Sequence, residues 1–156
     1  EMCIRDSNNI VGDAIVKEVM SLKLAVKLIE TVEEKAAEMG LAVVVAVSDA
    51  SGRPVAVHCM DGAYHGSFDV AVNKTYTSTA FQMSTAKLSR LCQPGQDLYG
   101  LQFSNNGKVM ILGGGEPLMV GKTMIGALGV SGGSAQEDSD LAAYGASALK
   151  EVIKCL

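Results

Sequence analysis

Residues 113–133, GGGEPLMVGKTMIGALGVSGG, are the most informative segment of the chain. A glycine-rich turn, two short apolar segments and a second glycine-rich turn follow one another in it, which is the order expected of a β-hairpin. Glycine permits backbone conformations closed to other residues and lets a ligand or a second backbone approach closely. We therefore interpret both turns as candidate ligand-binding positions, with tight strand corners as the structural alternative.

The same stretch contains Gly121-Lys122-Thr123, which resembles the end of a phosphate-binding P-loop. A P-loop has four residues between its first glycine and its Gly-Lys pair, whereas five separate Gly115 from Gly121. It must also lead directly into a helix, but residues 124–130 have the composition of a strand. Nucleotide binding by this motif is not expected.

Before this stretch, the sequence predicts a helix and a hairpin. Ser21 is a candidate N-cap and Gly40 a stop signal. Between them, apolar residues recur at three- and four-residue steps, namely Ala25, Leu28, Ile29, Val32, Ala36 and Met39. The valine-rich run 42–48, the turn 49–52 and the run 54–60 then predict an antiparallel pair of strands.

Further helices are predicted on either side of the glycine-rich stretch. Ser67 is a candidate cap for a second helix, which residues 84–91 continue or restart, and residues 109–112 are predicted as a strand. Residues 134–137, SAQE, form a capping box for the last helix. Its predicted buried face consists of Leu141, Gly145, Ala148, Leu149, Val152 and Ile153. The whole pattern predicts an α+β fold with a mainly antiparallel sheet of about five strands covered by helices.

Length and composition favour one globular domain. The chain has 156 residues and 48% hydrophobic content, so residues 13–156 are assigned to a single domain and residues 1–12 to an N-terminal tail whose native origin stays open. A net charge of −4 without a basic cluster argues against nucleic acid as a partner. With neither a membrane-spanning run nor a signal-peptide pattern, we expect a cytoplasmic protein that contacts no membrane. The four cysteines lie far apart, so free thiols are expected.

Four motifs in order resemble one family. They are VVVAVSDASGRPVAVHCMDGA (43–63), AVNK (71–74), GGEP (114–117) and IGALGVSGGSAQEDSDLAAYGA (125–146). Together they resemble the GlcG/HbpS-like haem-binding family, which includes the C-terminal domain of PduO-type adenosyltransferases. The resemblance implies a homo-oligomeric α+β domain that binds haem, with roles in haem storage, sensing or degradation. The family pattern has arginine before Met-Asp-Gly-Ala, where this chain has Cys59. A guanidinium suited to a haem propionate is therefore missing.

The segment around that departure is dense in side chains that can ligate iron. His58 and His65, the two histidines of the chain, bracket it, and Cys59 and Tyr64 lie between them. We take all four as candidate haem-binding residues and the two histidines as candidate metal ligands; a strand-face histidine and a loop histidine are the structural alternative. Gly114, Gly115, Gly132 and Gly133 are assigned to the same pocket, because backbone N–H groups at their turns can meet an anionic group.

A second hypothesis belongs to another class of function. An enzyme or accessory factor could act on a small carboxylate- or aldehyde-type metabolite, in a setting linked to a catabolic microcompartment, with Asp61, Lys74 and Glu116 as catalytic candidates. The alternatives are an ordinary turn for Asp61, a solvated helix face for Lys74 and an exposed turn for Glu116. A purely structural assembly subunit is a third hypothesis. Absorbance separates the first two, since haem gives an intense Soret band.

Overall fold

The computed structural model describes residues 19–156. The tail assigned to residues 1–12 lies outside this range, so its boundary with the domain stays a prediction. In chain order the helices and strands are α1 (Leu22–Glu38), β1 (Val44–Asp49), β2 (Pro54–Cys59), α2 (Ser67–Phe81), α3 (Thr85–Leu91), β3 (Gly115–Val120), β4 (Thr123–Ser131) and α4 (Ala135–Lys154). Two short 3₁₀ turns, Leu101–Phe103 and Asn105–Gly107, lie between α3 and β3.

Local capping signals fix the first and last helices as predicted. The Ser21 hydroxyl accepts a hydrogen bond from the Leu24 N–H at 3.1 Å, and Gly40 follows α1 with a φ of 72°. At the start of α4 the Ser134 hydroxyl accepts from the Glu137 N–H, while the Glu137 carboxylate accepts from the Ser134 N–H. This reciprocal pair is the predicted capping box.

The four strands form one antiparallel sheet in the order β2-β1-β4-β3. Val44, at the start of β1, lies opposite Cys59 on one side and Ser131 on the other, and Gly115 lies opposite Gly129. The end of β2, the start of β1, the end of β4 and the start of β3 therefore meet at one end of the sheet. We call this the glycine end, because both glycine-rich turns leave from it.

Helices cover both faces of the sheet, which explains why β1 is apolar at four consecutive positions, 44–47. Val43, Val45 and Val47 belong to the main core with α1 and α4. Val44 and Ala46 pack on the other face against Ala71 of α2. Successive strand residues thus point alternately to the α1/α4 side and the α2 side.

Two predicted details are wrong. Residues 109–112 form no strand: the Met110 N–H donates to the Thr77 hydroxyl at 2.8 Å, and Val109 packs in a small cluster with Leu88 and Cys92. The sheet of the described residues therefore has four strands rather than about five. Ser67 does not cap α2, whose N-cap is Gly66 and lacks a side-chain hydrogen bond. The strand prediction at residues 109–112 failed because an apolar run of four residues is too short for hydrophobic periodicity to distinguish a strand from a packed loop.

The cysteines differ from one another. Cys59 is an exposed free thiol and Cys92 a buried one, as expected, and burial raises the pKa of the Cys92 thiol. Cys155 is disulfide-bonded, so the expectation of a free thiol is wrong there. Distance along the sequence does not limit which cysteines a fold brings together.

Among the helices of residues 19–156, none combines the length and the apolar character needed to cross a membrane.

Candidate functional site

A buried ion pair lies at the centre of the glycine end. The Lys74 ammonium, on α2, donates to the Asp138 carboxylate at 2.9 Å and to the Val130 carbonyl at 2.6 Å. Its side chain is 1% exposed and that of Asp138 5%. Removal from water lowers the pKa of Lys74, and the hydrogen bond and charge of Asp138 oppose this effect. The ion pair connects α2, β4 and α4. These elements come from the two helical layers and from the sheet between them.

Both glycine-rich turns pack against this ion pair. The Gly133 N–H donates to the second carboxylate oxygen of Asp138 at 2.9 Å. A Cβ on Gly114, whose φ is 116°, would lie 2.6 Å from the Val130 carbonyl oxygen and 2.8 Å from the Lys74 ammonium. We call Lys74, Asp138, Gly114, Gly133 and the Val130 carbonyl the clasp. The glycines here let backbone approach a buried charge pair of the protein itself.

The remaining glycines of the two turns make other contacts. The Gly115 N–H donates to the Thr85 hydroxyl at 2.8 Å, so it is occupied within the fold. Gly132, with a φ of 147°, packs so closely on the start of β1 that a Cβ would lie 2.7 Å from the Ala42 carbonyl oxygen. Gly62 also lies beside Ala42, because a Cβ on Gly62 would be 3.9 Å from the Cβ of Ala42. Through Ala42, the Asp61-Gly62 turn and the second glycine-rich turn are neighbours, as the sheet topology predicts.

His58 and Cys59 point to opposite faces of β2, which is an edge strand. His58 lies opposite Val45, on the α1/α4 side, and its Nδ1 is 3.0 Å from a carboxylate oxygen of Glu33 on α1. In the tautomer with the hydrogen on Nδ1, the ring donates to this carboxylate and Nε2 has a free lone pair. Cys59 lies opposite Val44, on the α2 side. These two candidate ligands therefore cannot reach the same iron from one chain.

Three other candidates follow β2 in the chain. Asp61, Tyr64 and His65 are exposed in the loop that joins β2 to α2, and the Tyr64 side chain is 75% exposed. Phe68, in the first turn of α2, is also exposed although it is large and apolar. We call residues 59–68 the ligand loop. It brings Cys59, Tyr64 and His65 into one exposed segment and leaves His58 on the other side of the strand.

The structure does not bring the three catalytic candidates together. Asp61 is exposed in the ligand loop, and Lys74 is buried in the clasp. Glu116 lies opposite Leu128 in the β3–β4 register, so it faces the α1/α4 side, away from α2. A catalytic role for these residues stays a prediction, and their placement offers no shared reaction centre. Among the described residues, no group of three or more histidine, cysteine, aspartate or glutamate side chains is arranged to hold a metal ion.

Glu116 is half-buried, and this burial raises the pKa of its carboxyl group. The folded state therefore holds the proton more tightly than the unfolded chain, whose reference pKa is 4.5. The stability gained from this group is complete below that value and is lost as the pH rises through the folded-state pKa. At pH 7 the ionised carboxylate opposes folding.

We therefore predict that Glu116→Gln raises the melting temperature at pH 7 and that this gain shrinks as the pH is lowered to about 4. Thermal melts followed by circular dichroism between pH 4 and pH 8 measure the difference. Glu151→Gln is the control, because the hydrogen bond from Lys154 lowers the pKa of Glu151 and its loss should not stabilise. An equal gain for Glu116→Gln at pH 4 and pH 7 would contradict the prediction.

Sequence reasoning missed the partners that organise this site. Asp138 lies in the first turn of α4, where the helix dipole alone would account for an acidic side chain, but it forms the ion pair with Lys74 and accepts from the Gly133 N–H. Glu33, the partner of His58, and Thr85, the partner of Gly115, were not predicted either. A lysine inside a helix of apolar and hydroxyl residues was the available signal, because a buried ammonium requires an acidic partner. The sequence does not say which acid that is.

Known proteins are similar to this chain in sequence and in fold. A family model described as "Haem degrading protein HbpS-like" matches residues 20–147. A 15.0 kDa uncharacterised protein of Citrobacter freundii, from the dhaT-dhaS intergenic region, is 39% identical over 123 residues, which are 79% of this chain and 87% of that protein.

Two crystal structures are also similar. The Klebsiella pneumoniae protein ORFY aligns with a TM-score of 0.83 and 32% identity over 96% of this chain and 98% of its own. A PduOC:heme complex aligns with a TM-score of 0.79 and 35% identity over 83% and 94%. The chain belongs to the HbpS-like family.

Proposed function

We propose that this protein binds haem and that the ligand loop holds it. The proposal rests on membership of the HbpS-like family and on the similarity to a structure solved as a heme complex. The observation in this chain that carries it is the shared exposure of Cys59, Tyr64, His65 and Phe68 within one short segment. A thiolate, a phenolate and an imidazole all ligate haem iron, and an exposed aromatic ring suits contact with a porphyrin. Bound iron would supply the redox chemistry.

His58 offers a second position on the other face of β2. A carboxylate that accepts the Nδ1 hydrogen orients an imidazole and increases its basicity as a ligand, and Glu33 is placed to do this. Lys74 is unsuited to a propionate, because its ammonium is buried against Asp138. With Cys59 in place of the family arginine, we expect the propionates to extend into solvent.

The first test is a titration with hemin. We expect a saturable shift of the Soret band at about one haem per chain or per two chains. The single variants His65→Ala, His58→Ala, Cys59→Ser and Tyr64→Phe then locate the axial ligand, because its loss changes the spin state and the position of the band. A spectrum that stays that of free hemin in buffer would refute haem binding. Four unchanged variants would refute the proposed site alone.

Within this proposal, degradation differs from storage and sensing in the fate of the bound haem. We expect the Soret band of the loaded protein to persist with ascorbate in air if the role is storage or sensing. In degradation the porphyrin ring opens, so the band decays. Following the band over time distinguishes these outcomes, and free hemin in the same buffer serves as the reference.

We also propose that the protein is a homo-oligomer. Large apolar side chains that a monomer leaves exposed support this, namely Tyr64, Phe68, Leu98, Tyr99, Phe103 and Leu112. Static light scattering should give a mass of at least twice 16.2 kDa. A monomer mass across micromolar concentrations would contradict the prediction.

A further inference from the structure

A cavity lies at the end of the sheet opposite the glycine end, beside the β3–β4 turn. Its volume is about 480 Å³, within the range of small-molecule pockets. Of the residues that the structure describes, five line it, namely Gln82, Pro117, Met119, Lys122 and Met124. None of them belongs to the ligand loop or the clasp.

The apolar part of the cavity is formed by a cross-strand pair. Met119 lies opposite Met124 in the β3–β4 register, so both side chains project from the same side of the hairpin, and Pro117 extends the apolar surface. The Met119 side chain is 46% exposed, which leaves it without a complete packing partner in the chain. Flexible thioether side chains adapt to ligands of different shape.

The polar part of the cavity has one sign of charge. Lys122 supplies an ammonium and Gln82 a carboxamide with two N–H donors, whereas no carboxylate is among the five lining residues. This set favours an anionic group and disfavours a metal cation. A carboxylate matches both donors, because it accepts from an ammonium and from an amide at once.

The backbone of Gln82 has an energetically unfavourable conformation. It ends α2 in the left-handed region, with φ 53° and ψ 40°, a conformation that glycine adopts without the Cβ penalty. An unfavourable backbone at a residue that also lines a cavity is a reason to look for function in its side chain. Among the described lining residues, Gln82 is the one with a side-chain amide.

We propose that this cavity binds a small amphipathic carboxylate, with its apolar body on Met119, Met124 and Pro117 and its carboxylate on Lys122 and Gln82. The site is separate from the ligand loop and does not depend on haem binding.

Sodium octanoate is the probe, and methionine methyl groups labelled with carbon-13 are the reporters. The variants Met119→Leu and Met124→Leu assign the two methyl signals. On titration of the full chain we expect these two signals to shift and saturate while the other methionine signals stay in place. Lys122→Gln should raise the dissociation constant about threefold to fivefold, the effect of one exposed charge contact. The exposed Lys87, changed to glutamine, is the control and should leave it unchanged.

Gln82→Gly provides a test that a structural role would not pass. Glycine relieves the backbone, so we expect the urea midpoint to stay equal or rise while octanoate affinity falls. Neutral octanamide should bind the wild type and Lys122→Gln equally. Uniform shifts of all methionine signals, equal octanoate affinity of the Lys122→Gln and Lys87→Gln variants, or unchanged affinity of Gln82→Gly would overturn the proposal.

Discussion

Replacing Lys74 by methionine is expected to lower the free energy of unfolding by about 3–5 kcal/mol at pH 7. Methionine keeps most of the side-chain volume, so the loss comes from charge rather than from a cavity. The Asp138 carboxylate, 5% exposed, would lose its cation and remain buried in the clasp. The Val130 carbonyl would lose its donor as well. Urea denaturation followed by far-UV circular dichroism measures the change.

Lys154→Met is the matched control for this prediction. Lys154 pairs with Glu151 at a similar distance, 2.8 Å, but both side chains are exposed and screened by solvent, so the loss of this pair should lower stability far less than the loss of Lys74. The double variant Lys74→Met/Asp138→Asn should recover part of the loss, because asparagine removes the unpaired charge and retains an acceptor for the Gly133 N–H. If Lys74→Met and Lys154→Met lower stability equally, the clasp is not an important source of stability.

The parts of the fold that can be predicted from the sequence are those that depend on interactions between residues close along the chain. Ser21 and Gly40 bound α1 through contacts a few residues away, and the α4 capping box lies within four residues. The two hairpins have turn residues between apolar runs, so their pairing is also local. Residues 109–112 fail because an apolar run is equally suited to a packed loop, and here the Thr77 hydroxyl takes the place of a neighbouring strand.

The candidate site is less predictable because long-range contacts build it. Lys74 and Asp138 are 64 residues apart, and no sequence pattern in either helix identifies the partner residue in the other helix. The placement of His58 and Cys59 was predictable, since neighbours on a strand point to opposite faces. Treating residues 58–65 as one ligand cluster overlooked that alternation. Close packing within the fold accounts for several of the glycines assigned to the pocket, and their role in ligand binding stays a prediction.

Gly129 makes such a contact between the sheet and a helix, and this contact leads to the second large effect. It lies in the middle of β4 on the α2 side, where a Cβ would overlap the Ala71 carbonyl oxygen and lie 3.0 Å from a methyl carbon of Thr75. The obstacle is helix backbone, which cannot rotate away as a side chain can. We expect Gly129→Ala to force α2 off the sheet and to lower the free energy of unfolding by about 3 kcal/mol, the upper end of the usual cost of overpacking.

Gly66→Ala is the control for Gly129→Ala, because nothing lies within 4 Å of its Cβ position and its φ of −62° suits alanine. There we expect a change within about 0.5 kcal/mol. The same comparison tests the layer order, since only a helix seated directly on β4 makes alanine costly at residue 129. Denaturant midpoints measured side by side decide the matter: equal midpoints for the two variants would mean that α2 can move away from the sheet at little cost, and that Gly129 is not what allows their contact.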